Sequence, residues 1–149
     1  MQGEAETFFH MQLDFFLTIV YIYINLHFMP KREILYQGKF YTIELAVTTN
    51  GRCPAKKFLN GLSKDDREKI LRVIKRLADE GRVTNREQFK KIEGEDFFEF
   101  KNFQIRMPCY FHATGQLIIT HGFIKKEAWI RPEEIDRMKR IRHEYEKRT

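Results

Sequence analysis

The chain has 149 residues and a formal net charge of +6 at pH 7. A single domain of this size buries roughly two-thirds of the surface that its unfolded chain exposes, so it needs no second domain, disulfide or metal ion to be stable. The charge is unevenly placed, because residues 1–30 carry −3 and the remaining 119 residues carry +9. A basic excess of this kind favours nucleic acid as a partner, since each neutralised phosphate releases counterions, although a solvated basic surface has the same composition.

The N-terminal 28 residues differ in character from the rest and contain a strongly apolar run, Phe15–Ile24. The run is half the roughly 20 residues that a spanning helix requires, and Asp14 precedes it, so we predict neither a membrane span nor a membrane partner. A secretory signal is also disfavoured because no Lys or Arg precedes the run. Its β-branched and aromatic residues favour a strand. We interpret Met29 as the usual start and residues 1–28 as an extension that the core fold does not need.

Beyond Pro30 the first predicted elements are a strand and two helices. A strand is predicted at 39–47 after the Gly38-Lys39 turn signal, and a short helix at 54–62 with Pro54 in its first turn. Ser63 is a good N-cap for a longer helix that Gly81 ends. After that helix, Asn85 is predicted to cap one last helical turn through Phe89.

The second half predicts three strands and a final helix. The strands are placed at 97–101, 104–112 and 117–124, and their short links indicate an antiparallel meander. The final helix begins near Pro132 and turns Ile135, Met138, Ile141 and Tyr145 inward. The whole order predicts an α+β fold, a small antiparallel sheet with a helical hairpin and a C-terminal helix on one face and the other face open.

Two segments of the second half resemble the motifs of a known family. Phe98–Met107 reads as aromatic, Glu, apolar, Lys, a short turn, and then Arg before an apolar residue. Thr120–Lys126 followed by Arg131–Ile135 resembles the pattern H-G-F-x-K-K…P-x-x-E-I. These patterns are similar to those of RelE/ParE superfamily toxins in their HigB-like, phage-derived branch. The resemblance covers about Met29 to Glu146, and it implies a RelE/ParE-like toxin domain at 29–149.

The resemblance implies a function and a set of partners. The chain is expected to be the toxin of a type II toxin–antitoxin system and, as in most HigB-like members, a ribosome-dependent mRNA endonuclease. Its expected partners are a helix-turn-helix antitoxin of the HigA type, mRNA with the ribosome, and operator DNA through the antitoxin complex. The alternative is a member without nuclease activity, either a ParE-like topoisomerase poison or a degenerate toxin that binds only its antitoxin and DNA.

The setting that we expect is cytoplasmic, with no metal or organic cofactor. Cys53 and Cys109 form neither a C-x-x-C motif nor a metal set with nearby histidines, and we interpret them as reduced core thiols. The sequence has no Gly-rich phosphate loop, zinc spacing or paired carboxylate motif. The expected chemistry therefore relies on basic side chains.

Cleavage of RNA by its own 2′-hydroxyl needs a proton acceptor, positive charge at the phosphate, and a proton donor for the leaving oxygen. Arg106 is the first candidate because a planar guanidinium holds two phosphate oxygens, although a strand arginine at a sheet edge is its alternative. Lys101, just before the turn, adds a second charge or is merely solvated. Lys125 and Lys126 match the family's basic pair, of which one is expected to reach RNA. Lys91 is a further candidate RNA contact.

His112 and His121 suggest a ribonuclease-type acid and base pair, but strand register argues against it. A tight turn at Ala113–Gly115 places His121 opposite Met107 and on the other face from His112, unless a bulge intervenes. His121 therefore stays a candidate acid or base, and His112 is interpreted as structural or solvent-facing.

Three further residues keep two or more interpretations. Glu99 shares a strand face with Lys101, so it is either a base or a salt-bridge partner. Tyr110 shares a face with Arg106 and either stacks on a base or packs in the core. Trp129 is a stacking platform, a partner contact or a local plug.

Overall fold

A computed structural model of the chain describes residues 2–28, 32–113 and 115–148. The chain divides into two compact units, residues 1–30 and residues 31–149. Met29, the predicted start of the core, lies outside the described residues, as does Thr114.

The first unit is a single helix, α1 (Gln2–Phe28), so the predicted preference for a strand is wrong. A lone strand leaves its backbone groups unpaired, whereas a helix pairs them within itself. Within α1, Gly3–Ile24 is long and apolar enough to cross a membrane, by length and composition only, a property that the shorter apolar run was predicted to lack. Phe9, Phe15 and Tyr21 are 67–70% exposed.

Within the described part of the second unit, residues 32–113 and 115–148, the chain forms a seven-stranded sheet and three helices. The strands are β1 (Glu33–Gln37), β2 (Thr42–Leu45), β3 (Phe89–Lys91), β4 (Phe98–Asn102), β5 (Ile105–Phe111), β6 (Gln116–Ile119) and β7 (Phe123–Ile124). The helices are α2 (Pro54–Gly61), α3 (Lys64–Glu80) and α4 (Pro132–Glu146). The strand order is β1-β2-β6-β5-β4-β3, with β7 beside β5, and all pairs are antiparallel except β2 with β6. The predicted α+β class is confirmed.

Three strand boundaries differ from the prediction. Residues 33–37 form a separate strand that pairs with β2 across the Gly38 turn. The predicted turn from Asn85 to Phe89 is confirmed, since the Asn85 carboxamide oxygen accepts from the Glu87 N–H at 2.9 Å and the Asn85 carbonyl accepts from the Phe89 N–H at 3.1 Å. Phe89 also begins a strand that was not predicted, β3, where it pairs with Phe100. The last predicted strand is two strands, β6 and β7, separated at 120–122. Long-range pairing decided each of these segments.

The helices α2 and α3 begin and end where their capping residues predict. The Ser63 hydroxyl accepts from the Asp66 N–H at 3.2 Å, and Gly81 ends α3 with a left-handed backbone, φ 76°. Ile70, Ile74 and Leu77 then lie in a core that also holds apolar side chains of β2, β4, β5 and β6.

The opposite face of the sheet is not open, and that prediction is wrong. Met138, Ile141 and Tyr145 of α4 form a second buried cluster with Tyr110 and Ile118. Helices therefore cover both faces. Helix α4 covers the end of β5 that contains Tyr110, and Arg106 lies four residues away, near the other end of the strand. The charged side chains of β4 and β5 lie on this same face, towards the turn that joins the two strands.

Candidate functional site

A cluster of charged side chains lies where β4 turns into β5. Lys101 pairs directly with Arg106 across the two strands, and Glu99 pairs with Pro108. Strand alternation puts Glu99, Lys101 and Arg106 on the face of α4, while Phe100 and Met107 enter the core beneath α3. The spacing predicted that Glu99 and Lys101 share a face with each other, and the structure adds Arg106 to it.

Arg106 is 9% exposed and is held by the turn that precedes it. Its Nη1 donates to the backbone carbonyls of Phe103 at 2.5 Å and Ile105 at 2.9 Å. No described hydrogen bond involves Nη2. The backbone of the turn therefore orients the guanidinium, and Nη2 is the edge available to a phosphate oxygen.

Glu99 is a carboxylate buried among these cations, with 1% of its surface exposed. Its Oε2 lies 3.6 Å from Arg106 Nε, and its Oε1 lies 3.9 Å from Lys90 Nζ. Among the described residues, neither Glu99 Oε2 nor Arg106 Nε has a hydrogen-bond partner, although both atoms are buried. Charge, and not a bidentate hydrogen-bonded pair, therefore holds Arg106 to Glu99.

Lys101 is also mostly buried, at 6% exposed. Its Nζ lies 3.3 Å from the Arg86 carbonyl and 3.3 Å from Glu87 Oε2, both in the segment that leads into β3. The Glu87 side chain is 84% exposed, so this ion pair is open to solvent at one end. Lys101 thus lies buried beside Arg106, and its charge is paired with the exposed carboxylate of Glu87.

The structure separates the predicted basic pair Lys125-Lys126. The Lys125 N–H donates to the Gln104 carbonyl at 2.8 Å, which ties it to the β4–β5 turn. Burial and then the charge of Arg106 lower the pKa of Lys125, whereas Glu99 acts to raise it. Lys125 therefore belongs to the cluster. Lys126 is exposed, and no described contact joins it to the cluster.

Strand alternation places Lys90, and not the predicted Lys91, on the sheet face of the charged cluster. Lys91 pairs with Phe98 and is exposed, on the sheet face of Phe100, whereas Lys90 pairs with Glu99 on the face of Arg106. Residues 90–96 lie between the predicted turn that ends at Phe89 and the predicted strand that begins at residue 97, so alternation was not applied to them. A strand prediction there would have found Lys90.

His121 is fully buried and packs against α4. Its Nε2 lies 2.8 Å from Glu134 Oε2, and its Nδ1 lies 3.0 Å from Thr120 Oγ1. Burial, aided by Arg137 and Arg140, lowers the pKa of His121 to about 3, so the ring is neutral at pH 7 and donates its Nε2–H to the carboxylate. With no exposed surface, this ring reaches no substrate in the structure described.

The predicted pairing register of β5 holds next to the turn but changes farther along the strands, near His121. Phe111 pairs with Leu117 as predicted, but Arg106 pairs with Phe123, one residue out of that register. The extra residue lies between β6 and β7, and it leaves His121 on the side of α4. The predicted placement of His121 on the other face from His112 is therefore wrong, because the irregularity lies beyond the turn that was considered.

The exposure of Tyr110 and Trp129 decides between some of the interpretations that the sequence left open for them. Tyr110 is 1% exposed beneath Arg142, whose guanidinium carbon lies 4.5 Å from the ring centroid, so it is a core residue and not an accessible stacking platform. Its hydroxyl has no hydrogen-bond partner among the described residues. Trp129 is 65% exposed, which excludes a local plug.

The described residues contain no group of three or more His, Cys, Asp or Glu side chains that would hold a metal ion. Cys109 is a free, buried cysteine, and burial raises the pKa of its thiol well above its usual range. A cleft of about 1100 Å³ lies elsewhere, between α2 and α4. Its lining includes Phe58 and Arg137 but none of the charged residues of the β4–β5 cluster.

Comparison with protein families places the chain in one of them. The family described as "Phage derived protein Gp49-like (DUF891)" matches residues 57–143, more than half of the chain. The chain belongs to this family. It is a family of RelE/HigB-type toxins, so the resemblance is confirmed for the toxin superfamily, and the HigB-like branch is not distinguished within it.

The matched segment of the Gp49-like family contains the whole basic cluster, from Lys90 to Lys125, and leaves out α1, β1 and β2. Among solved structures, the crystal structure of the RelB-RelE antitoxin-toxin complex from Methanococcus jannaschii is 14% identical, with a TM-score of 0.40 over 47% of this chain and 82% of that chain. Comparison with curated proteins finds no match.

Proposed function

We propose that the chain is the toxin of a type II toxin–antitoxin system and that it cleaves mRNA at the ribosome as an endoribonuclease. The observation that carries this proposal is the direct pairing of Lys101 with Arg106, with Lys90 and Lys125 beside them. Four cations, the buried Glu99 and the exposed Glu87 that pairs with Lys101 leave two net positive charges in one place. Such a site attracts and holds a phosphodiester.

The proposed reaction is transesterification within the RNA strand. The 2′-oxygen forms a bond to the adjacent phosphorus, the bond from phosphorus to the 5′-oxygen breaks, and the products are a 2′,3′-cyclic phosphate and a 5′-hydroxyl. The proton of the 2′-hydroxyl passes to solvent water, and a proton from the protein reaches the 5′-oxygen. The protein must supply positive charge to the pentacovalent phosphate and a proton to the leaving oxygen.

Arg106 is proposed to hold the phosphate. Its Nη1 is fixed by two backbone carbonyls, so Nη2 is presented in a constant direction. Lys101, opposite it, adds a second charge to the developing dianion. Fixed charges of this kind stabilise the transition state more than the ground state, because the phosphate gains negative charge as the new bond forms.

Lys125 is proposed as the proton donor to the leaving 5′-oxygen. Partial burial and its cationic neighbours lower its pKa, which makes the ammonium a better acid than an ordinary surface lysine. Glu99 keeps Arg106 and Lys90 in place and is a positioning residue, since it is almost fully buried. His121 and Tyr110 have no place in this proposal. Lys126 and Lys91, both exposed, stay predictions as outer phosphate contacts.

The proposed partners follow the family resemblance. We infer a helix-turn-helix antitoxin of the HigA type, operator DNA bound through the antitoxin complex, and action in the cytoplasm. The HigB-like branch and the need for the ribosome are part of the same proposal.

The test is induced expression of the full chain, with Arg106→Ala as the inactive variant and Arg72→Ala as the matched control. Arg72 is an exposed arginine of α3 that lies outside the cluster. We expect wild type and Arg72→Ala to arrest growth and to create new transcript ends that carry 5′-hydroxyl groups. Arg106→Ala should reduce cleavage by about 100- to 1000-fold. Growth arrest with intact transcripts contradicts the nuclease and favours the topoisomerase poison.

A further inference from the structure

The turn between β4 and β5 carries an aromatic residue in an unfavourable position. Phe103 is 88% exposed, more than any other large hydrophobic residue that the structure describes. It is also the one non-glycine residue with a positive φ, 51°, within residues 2–28, 32–113 and 115–148. Glycine or asparagine usually occupies such a position, because a Cβ is strained there.

Neither property of Phe103 helps the fold. An exposed ring buries no apolar surface, and a left-handed backbone at a phenylalanine costs free energy that a glycine would not. Features that are unfavourable for the folded state and persist at one residue are expected at functional sites. The position of the residue then indicates which site is involved.

The backbone of the turn is attached to the basic cluster on both sides. The Phe103 carbonyl accepts a hydrogen bond from Arg106 Nη1, and the next carbonyl, that of Gln104, accepts from the Lys125 N–H. Lys101 and Arg106 flank the turn as a pair. Hydrogen bonds to Arg106 and Lys125 therefore hold the backbone of the turn in place, and Phe103 lies at the edge of the proposed phosphate-binding site.

We propose that Phe103 stacks on an unpaired base of the RNA strand whose phosphate the cluster binds. Single-stranded RNA is recognised by aromatic rings that stack on its bases beside cations that follow its backbone. A base presents a flat face on which an exposed ring can stack, so RNA binding would bury the ring of Phe103. The inference rests on the proposed function, since it needs RNA at the cluster.

An antitoxin segment is the other chemistry that would cover an exposed ring. The attachment of the turn to Arg106 and Lys125 favours RNA, because a single strand carries a phosphate beside each base, so that these cations hold the phosphate while the ring stacks on the base. Trp129, the other strongly exposed aromatic residue of the second unit, has no described contact with the cluster and is not assigned this role.

The experiment measures cleavage kinetics of the full chain on an mRNA translated in a cell-free reaction. Phe103→Ala removes the ring, Phe103→Trp retains an aromatic face, and Phe103→Gly removes the ring while relieving the backbone strain. Phe40→Ala is the matched control, because Phe40 is a half-exposed phenylalanine in the separate turn between β1 and β2. Arg106→Ala reports on the proposed function itself.

We expect Phe103→Ala and Phe103→Gly to raise KM by about 5- to 100-fold, with kcat changed much less, because stacking binds substrate and transition state alike. Phe103→Trp should restore the KM of wild type, and Phe40→Ala should not alter it. Phe103→Gly should also raise the melting temperature, so its weaker binding is not explained by unfolding.

Two results overturn the inference, and they are distinct from failure of the proposed function. If KM is unchanged in Phe103→Ala and Phe103→Gly while Arg106→Ala is inactive, the cluster cleaves RNA without stacking at Phe103. If those variants instead lose affinity for the antitoxin alone, Phe103 is a protein contact. If wild type itself cleaves no RNA, the proposed function fails before the inference is reached.

Discussion

The sheet face beneath α3 buries apolar side chains such as Phe100 and Met107, whereas the face beneath α4 buries Glu44, Glu99 and His121 among its apolar residues. Adjacent residues of one strand serve the two faces, since Phe100 enters the core and Lys101 joins the basic cluster. The first face is held by the hydrophobic effect and close packing, and the second needs a partner for each buried charge.

The hairpin of β4 and β5 therefore contributes both to the apolar core and to a charged site. Glu44 has the Tyr145 hydroxyl at 2.9 Å and Arg32 as its partners, so the carboxylate is satisfied far from the cluster. Glu99 has its cations without a hydrogen bond to Arg106. On the α4 face, the buried carboxylate of Glu44 is therefore fully paired, whereas the cations at the β4–β5 end are only partly neutralised by Glu99. Stability should therefore respond to the α3 face, and activity to the β4–β5 end of the α4 face.

The largest effect on stability should come from Phe100→Ala. Phe100 has no exposed surface in the core beneath α3, and removal of a buried ring costs about 3–5 kcal/mol of the free energy of unfolding. Urea unfolding measures this change. The control is Phe103→Ala, three residues away and exposed, which should change the free energy of unfolding by less than about 0.5 kcal/mol. Equal losses in the two variants would contradict the comparison.

Gly122→Ala should be the next most destabilising change. An added Cβ would lie 2.0 Å from Cδ1 of Phe58, so the α2 ring would have to move, at a cost of about 1–3 kcal/mol. A double-mutant cycle with Phe58→Ala measures the coupling. The smaller side chain should remove most of the cost, and strictly additive losses would show that the contact with Phe58 is not the cause.

The α4 face should make stability depend on pH through His121. Its folded pKa of about 3 lies below the unfolded value of 6.5, so in this interval the unfolded chain binds one more proton. The stability that this group contributes is present above pH 6.5 and falls by about 1.4 kcal/mol for each pH unit below it. Chemical unfolding at several pH values should show a shallower acid dependence in His121→Gln. Parallel curves for the two proteins would contradict this assignment.

The smallest expected effect is a pair of opposite shifts in the pH dependence of cleavage. If Lys125 donates the proton, activity falls as the pH rises through its pKa. Glu99 raises and Lys90 lowers the pKa of Lys125. Glu99→Gln should therefore move the alkaline limb to lower pH, and Lys90→Met should move it to higher pH. Shifts in the same direction, or none, would remove Lys125 from the role of acid.

Local sequence signals were sufficient for features that depend on neighbouring residues. Ser63 and Gly81 bound α3 as predicted, because caps act on the first and last turns of their own helix. The pairing of Phe111 with Leu117 followed from a short turn between two alternating segments. The same alternation correctly assigned Glu99 and Lys101 to one face, so the centre of the candidate site was predictable.

Only the tertiary structure decided what covers each side chain. His121 and Tyr110 looked available because nothing in their own segments shows that α4 packs over them. Lys90 was missed because β3 exists only through its pairing with β4. Composition, caps and alternation act over a few residues and determine the elements and their faces. Coverage by α4, the irregularity between β6 and β7, and the pairing of short strands depend on contacts between residues far apart in the chain, which no local pattern contains.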